Sequence, residues 1–362
     1  MSDFSQYDGP SEEWLAVQAT LPPFAIDINT DLVAFKEKSN ALREGLAAKG
    51  METLAPKVSM ADFSIPTRDG STIRARTYRS VEHRADETLP VYLYFHGGGF
   101  VTGTLDSENA TCAALATKVR IVVLNVEYRH TPEHKFPTAW EDSQDAFAWL
   151  HKNTSTLNVD PTKVIVGGIS AGGQLAATLT LEKHLSKSPI LADLPAIAGQ
   201  ILMIPCVAHP STYSTVLSKL TSPSVSSYES NKNAPILPIT AIDFFCHHLQ
   251  PPVPISATDT KLNPINATPE QVRGLPPAVF GIAGLDPLRD EGLLYAKLLA
   301  EAEVDTSVRL FKGVPHGARR WAEEMPVASR EWDRCVVEGL EWCLDEGKRV
   351  GGKGFEVDVL CG

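Results

Sequence analysis

The sequence predicts an α/β protein: a mostly parallel central sheet with helices covering both faces. Two observations carry the prediction. Short, almost wholly apolar runs recur along the chain, among them VYLYF, IVVLNV, KVIVGG, QILMIP and AVFGIAG, and strands this uniformly apolar are the ones buried on both faces. Between them lie stretches with the apolar spacing of helices, and alternation of strand with helix joins neighbouring strands in parallel.

In chain order, residues 1–55 read as helical and polar. TDLVAFKEKSNALREGLAAKG sets Leu32, Phe35, Leu42 and Leu46 at helical spacing, with Gly50 as the stop. VSMADFSIP and STIRARTYRS flank a TRDG turn and read as a hairpin. The strands VYLYF and IVVLNVEYR follow, with a helix at ENATCAALATK between them. Next come a helix from Pro137 to Lys152, a strand at VIVGGIS and a helix from Ala171 to Leu185. AIAGQILMIP, AVFGIAGLD and SVRLFKGVP complete the strands, with helices near Glu291–Ala302 and Pro326–Glu346. The core therefore spans 56–206 and 278–348. Residues 207–277, rich in Pro, Ser, Thr and Asn, are too long for an ordinary loop. They read as a lid insertion before the penultimate strand, packed with the N-terminal helices. Its one clear helix is AIDFFCHHL, with Ile242, Phe245 and Leu249 on one face. The glycine-rich tail 349–362 reads as frayed.

Composition narrows the function. Among 362 residues, 44 acidic side chains outnumber 33 basic ones, the net charge is -11, and no basic stripe is visible. That argues against nucleic acid and anionic membranes as partners. No apolar run approaches the length of a membrane span, and the acidic start MSDFSQYDGPSEEW lacks the apolar core of a signal peptide. The six cysteines form no CxxC pair and no disulfide framework. A cytoplasmic protein without stable membrane association is expected.

The chemistry centres on Gly168-Ile169-Ser170-Ala171-Gly172, a G-x-S-x-G pentapeptide with a strand before it and a helix after it. That context suits a nucleophile on a strained turn, with glycines where a Cβ would strike the strand or the helix. A plain strand-to-helix turn of small residues is the alternative. His96-Gly97-Gly98-Gly99-Phe100 follows an earlier strand. Its glycines, together with Ala171, offer backbone N–H groups to a tetrahedral oxyanion. A serine hydroxyl needs a base, and acid and histidine should follow on loops after later strands. Asp286 ends AVFGIAGLD and His316 ends SVRLFKGVP. Asp290, also in DPLRD, is placed as a partner of a helix N-terminus.

HGGGF, GISAG, DPLRDEG and PHG, with EYRHTPEHKFPTAWED, resemble the hormone-sensitive-lipase-like branch of the α/β-hydrolase family over residues 60 to 348. The resemblance implies the α/β-hydrolase fold with a lid. It implies Ser170 as nucleophile, His316 as base, Asp286 as orienting acid, and an oxyanion hole from Gly97, Gly98, Gly99 and Ala171. The branch usually carries an acidic residue where this chain has Ile169, which makes the site more apolar. Phe100, Ile169, Phe244 and Phe245 are assigned to the substrate pocket, although the two lid phenylalanines equally suit docking of the lid.

Two histidine pairs need another explanation. His130 and His134 flank Pro132, which disfavours a regular helix, so a structural loop is expected. His247 and His248 are sequence neighbours on the lid helix and point apart. The reading is a serine carboxylesterase acting on short-acyl esters of small molecules, without metal or organic cofactor, and a homodimer is compatible with it. A lyase or cyclase of secondary metabolism on the same scaffold is the first rival. A small-molecule receptor is remoter, because receptors of this branch lost the histidine retained here as His316.

Overall fold

The computed structural model describes residues 1–22, 25–345 and 354–361. The expected hairpin is present as β1 (Val58–Pro66) and β2 (Thr72–Ser80), paired antiparallel from Val58↔Ser80 to Pro66↔Thr72. β3 (Leu89–Phe95), β4 (Val122–Glu127), β5 (Val159–Ile169), β6 (Gly199–Met203), β7 (Ala278–Leu285) and β8 (Thr306–Pro315) follow. With β9 (Asp358–Cys361) they form one sheet in the order β1-β2-β4-β3-β5-β6-β7-β8-β9. β2 meets β4 antiparallel, and every pairing from β4 onward is parallel.

Strand periodicity divides the core between two faces. Leu93, Phe95, Val166, Leu202, Phe280 and Leu310 point to one face, together with apolar residues of the helices Thr138–Lys152, Ala171–His184 and Arg289–Glu301. Tyr92, Tyr94, Ile165, Ile201, Val279 and Phe311 point to the other, with the helices Asn109–Lys118 and Pro326–Leu344. Parallel strands bring the carboxyl ends of β3, β5, β7 and β8 to one rim, and the loops carrying His96, Ser170, Asp286 and His316 leave from it.

The tail departs from expectation. Residues 349–353 and 362 lie outside the described residues, but Asp358–Cys361 adds to the sheet, with Leu310 opposite Val359 and Phe311 opposite Leu360. Glycine content predicts a frayed end. The β-forming VDVL behind it found the open edge of β8, whose unpaired backbone groups accept a strand. The 207–277 insertion consequently precedes the third strand from the end.

The N-terminal helix Leu32–Leu54 is also corrected. It runs through Gly50, and a Cβ there would lie 2.7 Å from the Ala110 Cβ, so this glycine permits close helix contact rather than ending the helix. Leu42 and Leu46 remain 57% and 45% exposed. The helix instead docks through polar side chains. Lys36 pairs with Glu133, Asn40 Oδ1 accepts the Gly103 N–H, Arg43 reaches the Gly97 carbonyl, and Glu44 accepts the Thr104 hydroxyl. The surface beneath is loop backbone, which requires hydrogen-bond partners more than apolar cover. Near its start, Phe35 meets Phe244 of the insertion helix Ile239–Leu249 edge-on at 5.4 Å, so the N-terminal segment and the insertion do pack together. Within that helix Ile242 and Leu249 are buried as the spacing indicated, while Phe244 is more enclosed than Phe245.

Leu42→Gln and Leu46→Gln should each change unfolding free energy by about 0.5 kcal/mol or less. Phe244→Ala should cost about 3 kcal/mol or more. Urea denaturation of the three variants checks the contrast.

Candidate active site

Ser170 stands on the turn between β5 and the helix Ala171–His184 with φ 56° and ψ -116°. A non-glycine residue holds such a conformation at a cost of about 1–3 kcal/mol, so its surroundings must enforce it. They do so by proximity. A Cβ on Gly168 would lie 2.3 Å from the Phe95 carbonyl oxygen, and one on Gly172 would lie 2.0 Å from the same atom. Both flanking glycines are pressed against the end of β3. The Ser170 N–H donates to the Met203 carbonyl at 2.8 Å, and its carbonyl accepts from the Gln174 N–H at 3.0 Å. The backbone is pinned on both sides, which presents the hydroxyl above the rim.

The other two residues expected to act with it meet it there. His316 Nε2 is 2.9 Å from Ser170 Oγ, and His316 Nδ1 is 2.7 Å from Asp286 Oδ2. Asp286 is 1% exposed, and its second oxygen accepts the Leu288 N–H at 2.9 Å. A carboxylate so held fixes the imidazole with its proton on Nδ1 and leaves Nε2 to take the serine proton. Beside this chain lies the glycine loop, with Gly98 at φ 134° and Gly99 at φ 62°. Among the described residues, no protein acceptor takes the N–H of Gly97, Gly98, Gly99 or Ala171. A hydroxyl, an imidazole, a buried carboxylate and bare N–H donors thus occupy one rim. This is the set needed for acyl transfer.

The alpha/beta hydrolase fold family profile matches residues 92–320. The chain belongs to that family. Within it, the chain is similar to Esterase LipI of Mycobacterium tuberculosis, 32% identical over 317 residues that cover 87% of this chain and 90% of LipI. Among solved structures it is similar to an esterase of Pyrobaculum calidifontis, with TM-score 0.74 and 32% identity over 92% of this chain and 98% of that one. Vibralactone Cyclase superposes with TM-score 0.80 at 26% identity, over 95% of this chain and 97% of that one.

The pocket residues assigned from the sequence separate in this α/β hydrolase. Phe100 is a correction: its ring is buried, stacked on Trp140 at 4.7 Å and edge-on to Tyr128, and its carbonyl accepts from the Thr131 backbone. It fills the core. Phe244, fully buried against Phe35 and His248, docks the insertion. Phe245 is only partly buried and lies on the glycine loop, where a Cβ on Gly99 would come 2.4 Å from its ring. Ile169 packs against Gly97 and remains partly accessible. Phe245 and Ile169 are therefore the two of the four that border the site.

His130 is buried edge-on to Tyr128 and His96, whereas His134 is exposed; His247 and His248 do not point apart as expected, since their rings meet edge-on at 5.1 Å. Arg129 braces its strand end through a forked ion pair with buried Asp142 and a second with Asp69. Among the described residues, no group of three or more His, Cys, Asp or Glu side chains is arranged to hold a metal ion, and no helix is long and apolar enough to cross a membrane.

Two features escaped the sequence reading. Asp290 does not simply serve a helix terminus. It is completely buried, takes the Ser227 N–H at 2.7 Å and the Arg289 Nε–H at 2.8 Å, and so ties the insertion to the loop of Asp286. Arg289 in turn pairs with Asp8. The arginine inside DPLRD was the available signal, since a buried cation requires anions beside it. The other feature is Arg43, which approaches the glycine loop from the N-terminal helix.

Asp286→Asn should lower kcat by about 10⁴ with little loss of stability. Asp290→Asn should cost about 3 kcal/mol in urea while the folded fraction keeps most of its turnover. Burial sets a third expectation. His96, enclosed beneath the glycine loop and near Arg43, has its pKa lowered to about 4. The folded state therefore binds this proton less readily than the unfolded chain, whose histidine titrates near 6.5. Stability should fall as pH drops from about 6.5 to 4, by about 1.4 kcal/mol per pH unit for this group. Urea midpoints across that range should show the slope, and His96→Gln should reduce it.

Proposed function

We propose that this protein is a serine carboxylic-ester hydrolase that acts on short-acyl esters of small molecules through an acyl-enzyme. The hydrogen-bonded chain Asp286–His316–Ser170 beside unclaimed backbone donors carries the reading. Ser170 Oγ attacks the ester carbonyl while His316 Nε2 takes its proton. Asp286 stabilises the resulting imidazolium. The oxyanion is received by N–H groups of the Gly97, Gly98, Gly99 run and Ala171, and loss of one such donor costs about 3–4 kcal/mol. His316 returns the proton to the departing alcohol. A water molecule, deprotonated by the same imidazole, then releases the acid. The naming of LipI and of the Pyrobaculum protein as esterases supports this chemistry.

A short acyl group is favoured because Phe245 stands directly against Gly99 and Ile169 against Gly97. Apolar walls this near the donors reward each fitting methylene by about 0.8 kcal/mol until the space ends. The likeness to Vibralactone Cyclase supports a second reading, in which an internal nucleophile replaces water and the product is a ring.

Ser170→Ala should lose about five to six orders of magnitude in kcat, and a phosphonate ester should label Ser170 in the intact protein. Along a series of aryl esters, kcat/KM should rise and then fall, peaking at about two to six acyl carbons. Preference for long-chain emulsions would refute the short-acyl assignment. Inertness toward every ester, with Ser170 still labelled, would favour the cyclase.

A further inference from the structure

We propose that Arg43 of the N-terminal helix is a positioning residue that strengthens the oxyanion hole through the Gly97–Gly98 peptide. The inference rests on the reading of the Gly98 N–H as a hole donor. One guanidinium nitrogen donates to the Gly97 carbonyl at 3.0 Å and to Thr102 Oγ1 at 3.3 Å, and the other donates to Glu108 Oε1 at 2.6 Å. Glu108 is itself fixed: it is 6% exposed and accepts the Tyr94 hydroxyl at 2.7 Å and the Ser107 hydroxyl at 3.2 Å. A buried carboxylate thus aims a cation at one backbone oxygen.

In a trans peptide the C=O and N–H share one conjugated system and point in opposite directions. Hydrogen bonding to the oxygen draws electron density from the nitrogen and makes its N–H a better donor, and such polarisation is greater where water is excluded. The Gly97 carbonyl and the Gly98 N–H are the two ends of one peptide. That peptide is held in place. Gly98 has φ 134°, a Cβ on it would lie 2.1 Å from the Thr102 carbonyl oxygen, and its own carbonyl accepts from the Val101 and Thr102 N–H groups. Docking of the helix does not depend on this contact alone, because Asn40 and Glu44 also bind it to Gly103 and Thr104. The N-terminal segment then supplies positive charge behind a donor that acts on the transition state.

The test compares Arg43→Met, Arg43→Lys and Glu44→Ala, the last removing a docking bond of the same helix. Two rates are read, turnover of a short-acyl aryl ester and phosphonylation of Ser170 by an aryl phosphonate, together with the urea midpoint. Removing a hole donor outright costs about 10²–10³ in kcat, and weakening one should cost about tenfold. Arg43→Met should lower kcat and the phosphonylation rate about tenfold with KM changed less than twofold. Arg43→Lys should recover part of the loss. Glu44→Ala should change only the urea midpoint. Equal rate losses in Arg43→Met and Glu44→Ala, or unchanged rates in Arg43→Met, would overturn the proposal. Phosphonylation needs no ester turnover, so a wild-type protein inert to esters would count against the hydrolase reading while the labelling rates still decide the role of Arg43.

Discussion

The approach of the Ser170 turn to the end of β3 is the constraint on which the site depends. Gly168 and Gly172 both lie so close to the Phe95 carbonyl that neither tolerates a Cβ. This contact does two things at once. It forces Ser170 to φ 56°, and it brings His96–Gly99, which leave β3 directly after Phe95, beside the serine. Because β3 and β5 are parallel neighbours, Phe95 is level with Gly168 in the register. The Ser170 hydroxyl and the N–H groups of the glycine loop are therefore aligned by the register of β3 and β5, an arrangement that would need little reorganisation were charge to develop there.

Around this centre, buried charges tie separate segments together. Arg129 links the end of β4 to Asp142 of a helix and Asp69 of the hairpin turn. Arg68 of that turn reaches Asp145 one helical turn further on. Arg289 and Asp290 join the N-terminal Asp8, the insertion and the loop of Asp286. A buried ion pair contributes little net stability over an apolar replacement, but losing one partner is costly. Such pairs consequently make the alternatives expensive, and they stand where long connections would otherwise have several ways to pack. The same logic applies to the polar face of Leu32–Leu54, which binds loop backbone.

The local signals explain why so much of the sheet was legible. Apolar, β-branched runs between helical stretches placed β3 to β8, since burial on both faces leaves a mark in every residue, and the TRDG turn placed the β1–β2 hairpin. G-x-S-x-G, HGGG, Asp286 and His316 were legible because each must sit at a strand end. The misreadings have a shared cause. Periodicity alone makes Gly50 a helix stop, residue type alone makes Phe100 a pocket wall, and glycine content alone makes the tail frayed. In each case the deciding partner is distant in sequence: Ala110 for Gly50, Trp140 for Phe100, and β8 for β9.

By itself, the sequence determined the class of fold, the order of strands and helices, and the identities of nucleophile, acid and base candidates, because these follow from local periodicity and from residue types that chemistry requires at turns. Tertiary structure alone decided which apolar side chains border Ser170 and which serve the core, that Asp290 is a buried anchor rather than a helix cap, and that Arg43 stands behind the glycine loop. Those choices depend on close packing and on the pairing of buried polar groups, and both are properties of surfaces that meet only after the chain has folded.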